Sequence, residues 1–350
     1  MNANRYPHTF RIVGPTVNPR KRVNATTAFD AYRTCDTRAR VDQEAYLGVF
    51  NFGEDFAAHL SRTGSTRGFL GATWATHVWF DVDRDEPSGG VEQAIVDTGR
   101  LIAVLEERCG VQSECLLSFI SGGKGCHVGL PTALWMPEGS DTFHLVAKEF
   151  ASRIAAAAGV PIDTGVYDRV RAFRAPNSRH PKTGLHKRFV PPEQFQLLTL
   201  EDAMTLASKP APFDMPDLTD SWLLPALESE WRAAAEAVAM RQAALEERRR
   251  DVANETRAAH VNRHTLDLIT GEPIAVGDRH RLIYAAARNL ADAGAPLHLV
   301  RELLREPALN TGLPPREVDR QLDCGFSDAV RKFTRGTQDA ANGQGPAQSD

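Results

Sequence analysis

Three short stretches of this chain hold residue types that could do chemistry. In "THVWFDVDRD", residues 76–85, Asp81 and Asp83 stand two apart behind an apolar run. If that run is a strand, both carboxylates leave the same face. Two carboxylates held about 4 Å apart repel by roughly 4 kcal/mol at an effective dielectric near 20, so the pair calls for a cation between them. A hard divalent ion, Mg²⁺ or Mn²⁺, suits carboxylate and phosphate oxygens. Acids also collect at ordinary solvated strand ends, and the pair alone leaves both readings open. Asp85 reads as a turn residue beyond the strand.

The second stretch is "SFISGGKGCHVGLP", residues 118–131. A Walker loop needs Ser or Thr after its lysine and a helix at once thereafter. Here Lys124 is followed by Gly125, Cys126 and His127 and then by an apolar strand, so that reading fails. A glycine-rich strand–loop–strand can still offer backbone N–H groups to an anion, Gly122 among them, with Ser121, Lys124 and His127 as further donors. The same letters also describe a tight hairpin with His127 on the sheet surface.

The third stretch is basic. Arg169, Arg171, Arg174, Arg179, Lys182, Lys187 and Arg188 fall within twenty residues that contain no Asp or Glu. Asn177, Ser178 and Thr183 interleave short polar groups. This suits a polyanion groove, with a solvated surface loop as the bland alternative. Just upstream, Asp163 in "PIDTGVYD" is a possible third carboxylate.

The whole chain bounds these readings. It has 350 residues and a net charge of −4, so any nucleic-acid surface must be a local patch rather than a global field. Its five cysteines form no CxxC pair, and Cys109, Cys115 and Cys126 lack a fourth ligand, so no zinc is expected. The N-terminal residues lack a signal-peptide core and no apolar run reaches membrane-spanning length, so a cytoplasmic protein with no membrane partner is expected.

Elements must position these residues. The 76–85 strand is followed by a turn with Ser88 as helix cap and a helix that ends at Cys109-Gly110. Residues 114–120 and 126–130 read as strands, 142–159 as an amphipathic helix and 166–176 as a strand. Beyond residue 210, Leu223, Leu227, Trp231, Ala234, Val238 and Leu245 mark one face of a long helix. Residues 278–307 give two short helices broken at Gly294 and Pro296, and Pro314-Pro315 opens a third. The expected organisation is a catalytic domain over 1–210, a linker with a long helix over 211–275, a helical domain over 276–335 and a disordered tail over 336–350.

Taken in order, the motifs resemble those of the archaeo-eukaryotic primase superfamily, in particular its primase-polymerase branch. Asp81-Val82-Asp83 is similar to the first motif, Ser121-Gly122-Gly123-Lys124-Gly125-Cys126-His127 to the second and Ile162-Asp163 to the third. "DTGVYDRVRAFR" is similar to the Asp-x-Gly-Val-Tyr and Arg-x-x-Arg pattern that follows, and the resemblance spans roughly residues 40–190. It implies an α/β (α+β) core with a mixed, RRM-like sheet, followed by an all-α C-terminal domain. It further implies two-metal nucleotidyl transfer, with Asp81, Asp83 and Asp163 holding two Mg²⁺ or Mn²⁺ ions about 3.5–4 Å apart. Ser121, Gly122, Lys124 and His127 would grip nucleotide phosphates, and Arg171 and Arg174 would lie near the incoming nucleotide and the template. Asn177, Ser178, Lys182 and Lys187 would contact nucleic acid. The region 278–335 resembles small helical domains that follow such cores, or is a helical packing module.

The function so implied is a DNA primase-polymerase that makes or extends primers on single-stranded DNA from NTPs or dNTPs. With no Walker motif, the replicative helicase would be separately encoded. Two alternatives stand beside it: a repair or end-joining polymerase that needs a primer, and a non-catalytic origin- or single-strand-binding replication protein.

Overall fold

The computed structural model describes residues 2–218, 222–254, 261–272, 274–275 and 277–342. The chain divides into two compact units, residues 1–244 and 245–350.

In chain order the first unit begins with α1 (Asn2–Arg5), β1 (His8–Val13), β2 (Lys21–Asn24), α2 (Ala25–Arg33), β3 (Ala45–Gly48) and β4 (Asn51–Phe52). There follow α3 (Glu54–Thr63), β5 (Thr73–Trp74), β6 (His77–Asp83), α4 (Gly90–Cys109), β7 (Leu117–Ile120) and β8 (Gly125–Pro131). It continues with α5 (Phe143–Ala157), β9 (Ala172–Arg174), β10 (Arg188–Phe189) and α6 (Leu200–Ala207). The long α7 (Pro225–Asn254) crosses the division between the units.

Two sheets result. One runs β5-β4-β1-β3-β9, with β2 also paired to β1; the other runs β10-β7-β8-β6. Every strand pair among the described residues is antiparallel, so the expected mixed sheet is replaced by two antiparallel ones. The core is aromatic, with Phe10, Phe50, Phe52, Phe56, Phe80, Phe119 and Phe143 all but fully buried. Burying such rings is the dominant favourable term, on the order of 2–3 kcal/mol each.

Several elements differ from their sequence reading. Ser88 does not cap α4; it closes a 3-10 turn over Glu86–Ser88, and Gly89 precedes the helix without a side-chain cap. The run 166–176 is a strand only over Ala172–Arg174, because Thr164–Tyr167 forms a 3-10 turn. On α7, Leu227, Ala234 and Val238 are buried in the first core, and the Trp231 ring meets Trp135, Phe143 and Phe150. Leu223 and Leu245, expected on that face, are exposed.

The second unit holds α8 (Arg263–Ile269), α9 (Arg279–Asp292), α10 (Leu297–Asn310) and α11 (Pro315–Asn342). Leu268, Ile283, Leu290, Val300, Leu304, Val318 and Leu322 form its core. Gly325 lets α11 close on α9: a Cβ there would lie 2.4 Å from the Tyr284 carbonyl oxygen. Residues 336–342, expected to be disordered, continue α11 as helix; the rest of that tail, 343–350, lies outside the described residues. Among the described residues no helix is long and apolar enough to cross a membrane.

Candidate active site

Strand β6 carries Trp79, Asp81 and Asp83 at alternate positions, so the three leave one face. Its register with β8 sets Asp81 opposite His127 and Asp83 opposite Gly125. Gly125 is needed there: a Cβ would lie 2.2 Å from the Val82 carbonyl oxygen and 2.4 Å from Asp83 Oδ1. The Asp163 N–H donates to the Asp81 carbonyl oxygen at 2.9 Å, fastening the third acid beside the first two across 82 residues of chain. Behind the strand, the buried Tyr167 hydroxyl donates to the Trp79 carbonyl.

The electrostatics of this wall are those of a site short of positive charge. Burial, and then the Asp163 charge, push the Asp81 carboxyl up to about 6. Burial and the Asp81 charge raise Asp83 as well. Lys124 answers part of the deficit, with Nζ 2.9 Å from Asp85 Oδ1 and 3.6 Å from Asp83 Oδ2. His127 Nε2 lies 3.4 Å from Asp81 Oδ1, but burial holds the imidazole well below its usual range and so neutral. Its ring packs on Phe173 with centroids 4.4 Å apart.

Asp81 Oδ1 is buried without a hydrogen-bond partner, which suits a metal ligand. Among the described residues, however, no three His, Cys, Asp or Glu side chains are grouped to hold one ion. Asp163 Oδ1 instead accepts from its own neighbour, the Gly165 N–H, at 2.8 Å. Mg²⁺ is commonly held by one or two carboxylates plus substrate phosphates, so Asp81 and Asp83 fit it without a complete protein cage.

A cleft of about 670 Å³ opens in front of the acids. Ser121, Lys124, His127, Arg171, Arg174 and Lys182 line it with Asp81, Asp83 and Asp163. Gly122 does not: its φ of +72° makes the loop turn, and its carbonyl accepts from Thr183 Oγ1 at 2.5 Å. The expected anion nest is also partly used up. The Gly123 and Gly125 N–H groups both donate to Ser121 Oγ, at 3.1 and 3.3 Å.

The basic stretch divides more sharply. Asn177 and Ser178, expected at nucleic acid, are fully buried and bind main chain, so neither reaches a surface a polynucleotide could touch. Asn177 Nδ2 donates to the Tyr32 carbonyl at 3.0 Å, and Ser178 Oγ to those of Ala175 and Ala45 at 2.8 and 3.1 Å. Lys187, likewise expected at nucleic acid, is 1% exposed. Its ammonium lies among Trp79, Phe119 and Phe173 and donates to the Arg174 carbonyl at 3.0 Å; burial lowers its proton affinity strongly. Arg169, Arg179 and Arg188 also donate to main-chain carbonyls.

Sequence reasoning missed two cleft residues on and just before a strand of the other sheet. Tyr46 on β3 donates to Glu44 and carries the Arg174 guanidinium over its ring, 5.2 Å from the centroid. Both Tyr46 and Glu44 line the cleft, and only the pairing of β3 with β9 brings them there. His180 also lines the cleft, its Nδ1 accepting from the Lys182 and Thr183 N–H groups at 3.2 Å each.

No family model matches the sequence, and no curated protein does. Among solved structures, a crystal structure of primase RepB′ is similar at 12% identity, covering 95% of this chain and 96% of that one with a TM-score of 0.36. A TM-score that low carries no argument.

Proposed function

We propose that this chain is a DNA primase-polymerase, transferring nucleotides from NTPs or dNTPs to a growing strand on single-stranded DNA. The observation that supports it most is the hydrogen bond from the Asp163 N–H to the Asp81 carbonyl, which sets a sequence-distant third acid beside Asp81 and Asp83 in the cleft that Arg171 and Arg174 also line. In this reading the segment β6–α4–β7–β8–α5 is the RRM-like half of an archaeo-eukaryotic primase core.

Asp81, Asp83 and Asp163 would hold two Mg²⁺ or Mn²⁺ ions, which supply charge neutralisation of the triphosphate and a more acidic 3′-hydroxyl. The 3′-oxygen bonds to the α-phosphorus, the bond to the bridging oxygen breaks, pyrophosphate leaves and the hydroxyl proton passes to water. Lys124 can exchange its contact with Asp85 for a β- or γ-phosphate oxygen, since its side chain is more than half exposed. Neutral His127 donates one N–H to a phosphate without adding charge. Arg171 and Arg174 offset the remaining negative charge from the opposite wall.

A second reading, a non-catalytic single-strand-binding protein, is favoured by one observation: Asp163 turns its carboxylate to Gly165. Incorporation of labelled NTPs and dNTPs on single-stranded DNA, with and without primer and with Mg²⁺ or Mn²⁺, decides between them. Metal-dependent product is expected. Its absence under every condition would favour the binding protein, and product only with primer a repair polymerase.

A further inference from the structure

Strand β2 lies at the edge of the six-stranded sheet and follows directly on Arg20. Its register with β1 sets Arg22 opposite Phe10. Phe10 and Ile12 share one face of β1, Ile12 pairs with Tyr46 on β3, and Tyr46 pairs with Arg174 on β9. Arg22 therefore leaves the sheet on the face of Tyr46 and Arg174, the residues that line the carboxylate cleft.

Arg20 folds back over that face. Its guanidinium carbon lies 4.7 Å from the Phe10 ring centroid, and Nη1 donates to Thr66 Oγ1 at 2.7 Å and to the Val170 carbonyl at 2.6 Å. The next residue, Arg171, is exposed and lines the cleft. Burial first, and the Arg171 charge second, lower the Arg20 proton affinity, so the two guanidinium groups feel each other. Among the described residues, none of Arg20, Arg22 and Arg171 has a carboxylate oxygen within 4 Å.

Guanidinium groups on one face with no ion-pair partner leave charge for a polyanion to neutralise. Phe10 is fully buried, so this edge offers phosphate contacts rather than a stacking platform. We infer that Arg20, Arg22 and Arg171 form a phosphate track leading the backbone of a single-stranded polynucleotide into the carboxylate cleft. The inference rests on the nucleotidyl-transfer reading and names where its template lies.

The test is equilibrium binding of a fluorescein-labelled oligodeoxythymidylate by anisotropy, between about 50 and 200 mM potassium chloride. In Arg20→Gln plus Arg22→Gln, the slope of log affinity against log salt should fall by about 1.4, at about 0.7 per lost single-strand phosphate contact. Exposed Arg22→Gln alone should lose about half of that, which guards against misfolding from the Arg20 contacts. Lys148→Gln, exposed on α5, should keep the wild-type slope. Competition with dTTP separates a polynucleotide track from a triphosphate pocket, since dTTP binding should survive both Arg20 and Arg22 changes. An unchanged slope in the variants, or parallel loss of dTTP binding, would overturn the track. Binding is read without synthesis, so a wild type that never incorporates nucleotide counts against the nucleotidyl-transfer reading alone.

Discussion

The wall made by β6 and β8 and the basic stretch from 169 to 188 are both dense in charge, yet they use it differently. On the wall, seven cross-strand pairs fix which way each side chain points, and Asp81, Asp83 and His127 stay together at the cleft. The basic stretch has only the short β9 and β10 in it, and irregular backbone leaves carbonyl oxygens without ladder partners. Arg179 and Lys187 satisfy carbonyls of the stretch itself, at Gly184 and Arg174, and Arg169 and Arg188 satisfy those of Gly71, Asp141 and Ala211 beyond it, while Arg171, Arg174 and Lys182 line the cleft. A regular strand delivers its chemistry outward; this irregular stretch spends much of its polar side chains on main-chain carbonyls, its own and its neighbours'.

The largest effect should come from the wall. Asp81→Ala with Asp83→Ala is expected to lower nucleotide incorporation by on the order of 10³-fold or more, while oligonucleotide affinity stays within about twofold. Incorporation at the wild-type rate would remove the wall from the chemistry.

Next comes the burial that holds β6 in place. His77, at the start of that strand, is 8% exposed, and burial pushes its imidazole down from 6.5 to about 4. Both folded and unfolded chains keep it neutral above 6.5. As pH falls from 6.5 towards 4 only the unfolded chain takes the proton, so stability drops by about 3 kcal/mol across that window and levels off below it. Chemical denaturation of the wild type against His77→Gln should show the variant with a shallower acid slope. His144, also held at about 4 by burial, should supply an independent part of the remaining slope.

Within the basic stretch, Asn177→Ala should cost about 1–3 kcal/mol of stability, because it removes bonds to Tyr32 and Ala211 from a residue at φ +58°. Oligonucleotide binding by the folded variant should not change; a selective loss of binding at unchanged stability would return Asn177 to the nucleic-acid surface. The smallest effect belongs to Lys182→Gln. This exposed cleft residue should lower the salt slope of oligonucleotide binding by about 0.7 and leave thermal unfolding where it is.

Period-two alternation determined by itself that Asp81 and Asp83 share a face, since a strand admits no other arrangement. Glycine spacing determined that the 121–127 loop turns between two strands rather than into a helix. Apolar periodicity likewise marked α4, α5, α9 and α10, whereas α8 lies in the expected linker and was not read from the sequence. Tertiary structure alone decided that Asp163 meets Asp81, that Tyr46 and Arg20 reach the same face as Arg174, and that Asn177, Ser178 and Lys187 turn inward. Side-chain direction within a strand follows from local geometry. Which carbonyls lack partners, and which segments lie across from one another, follows only from how the two sheets pack.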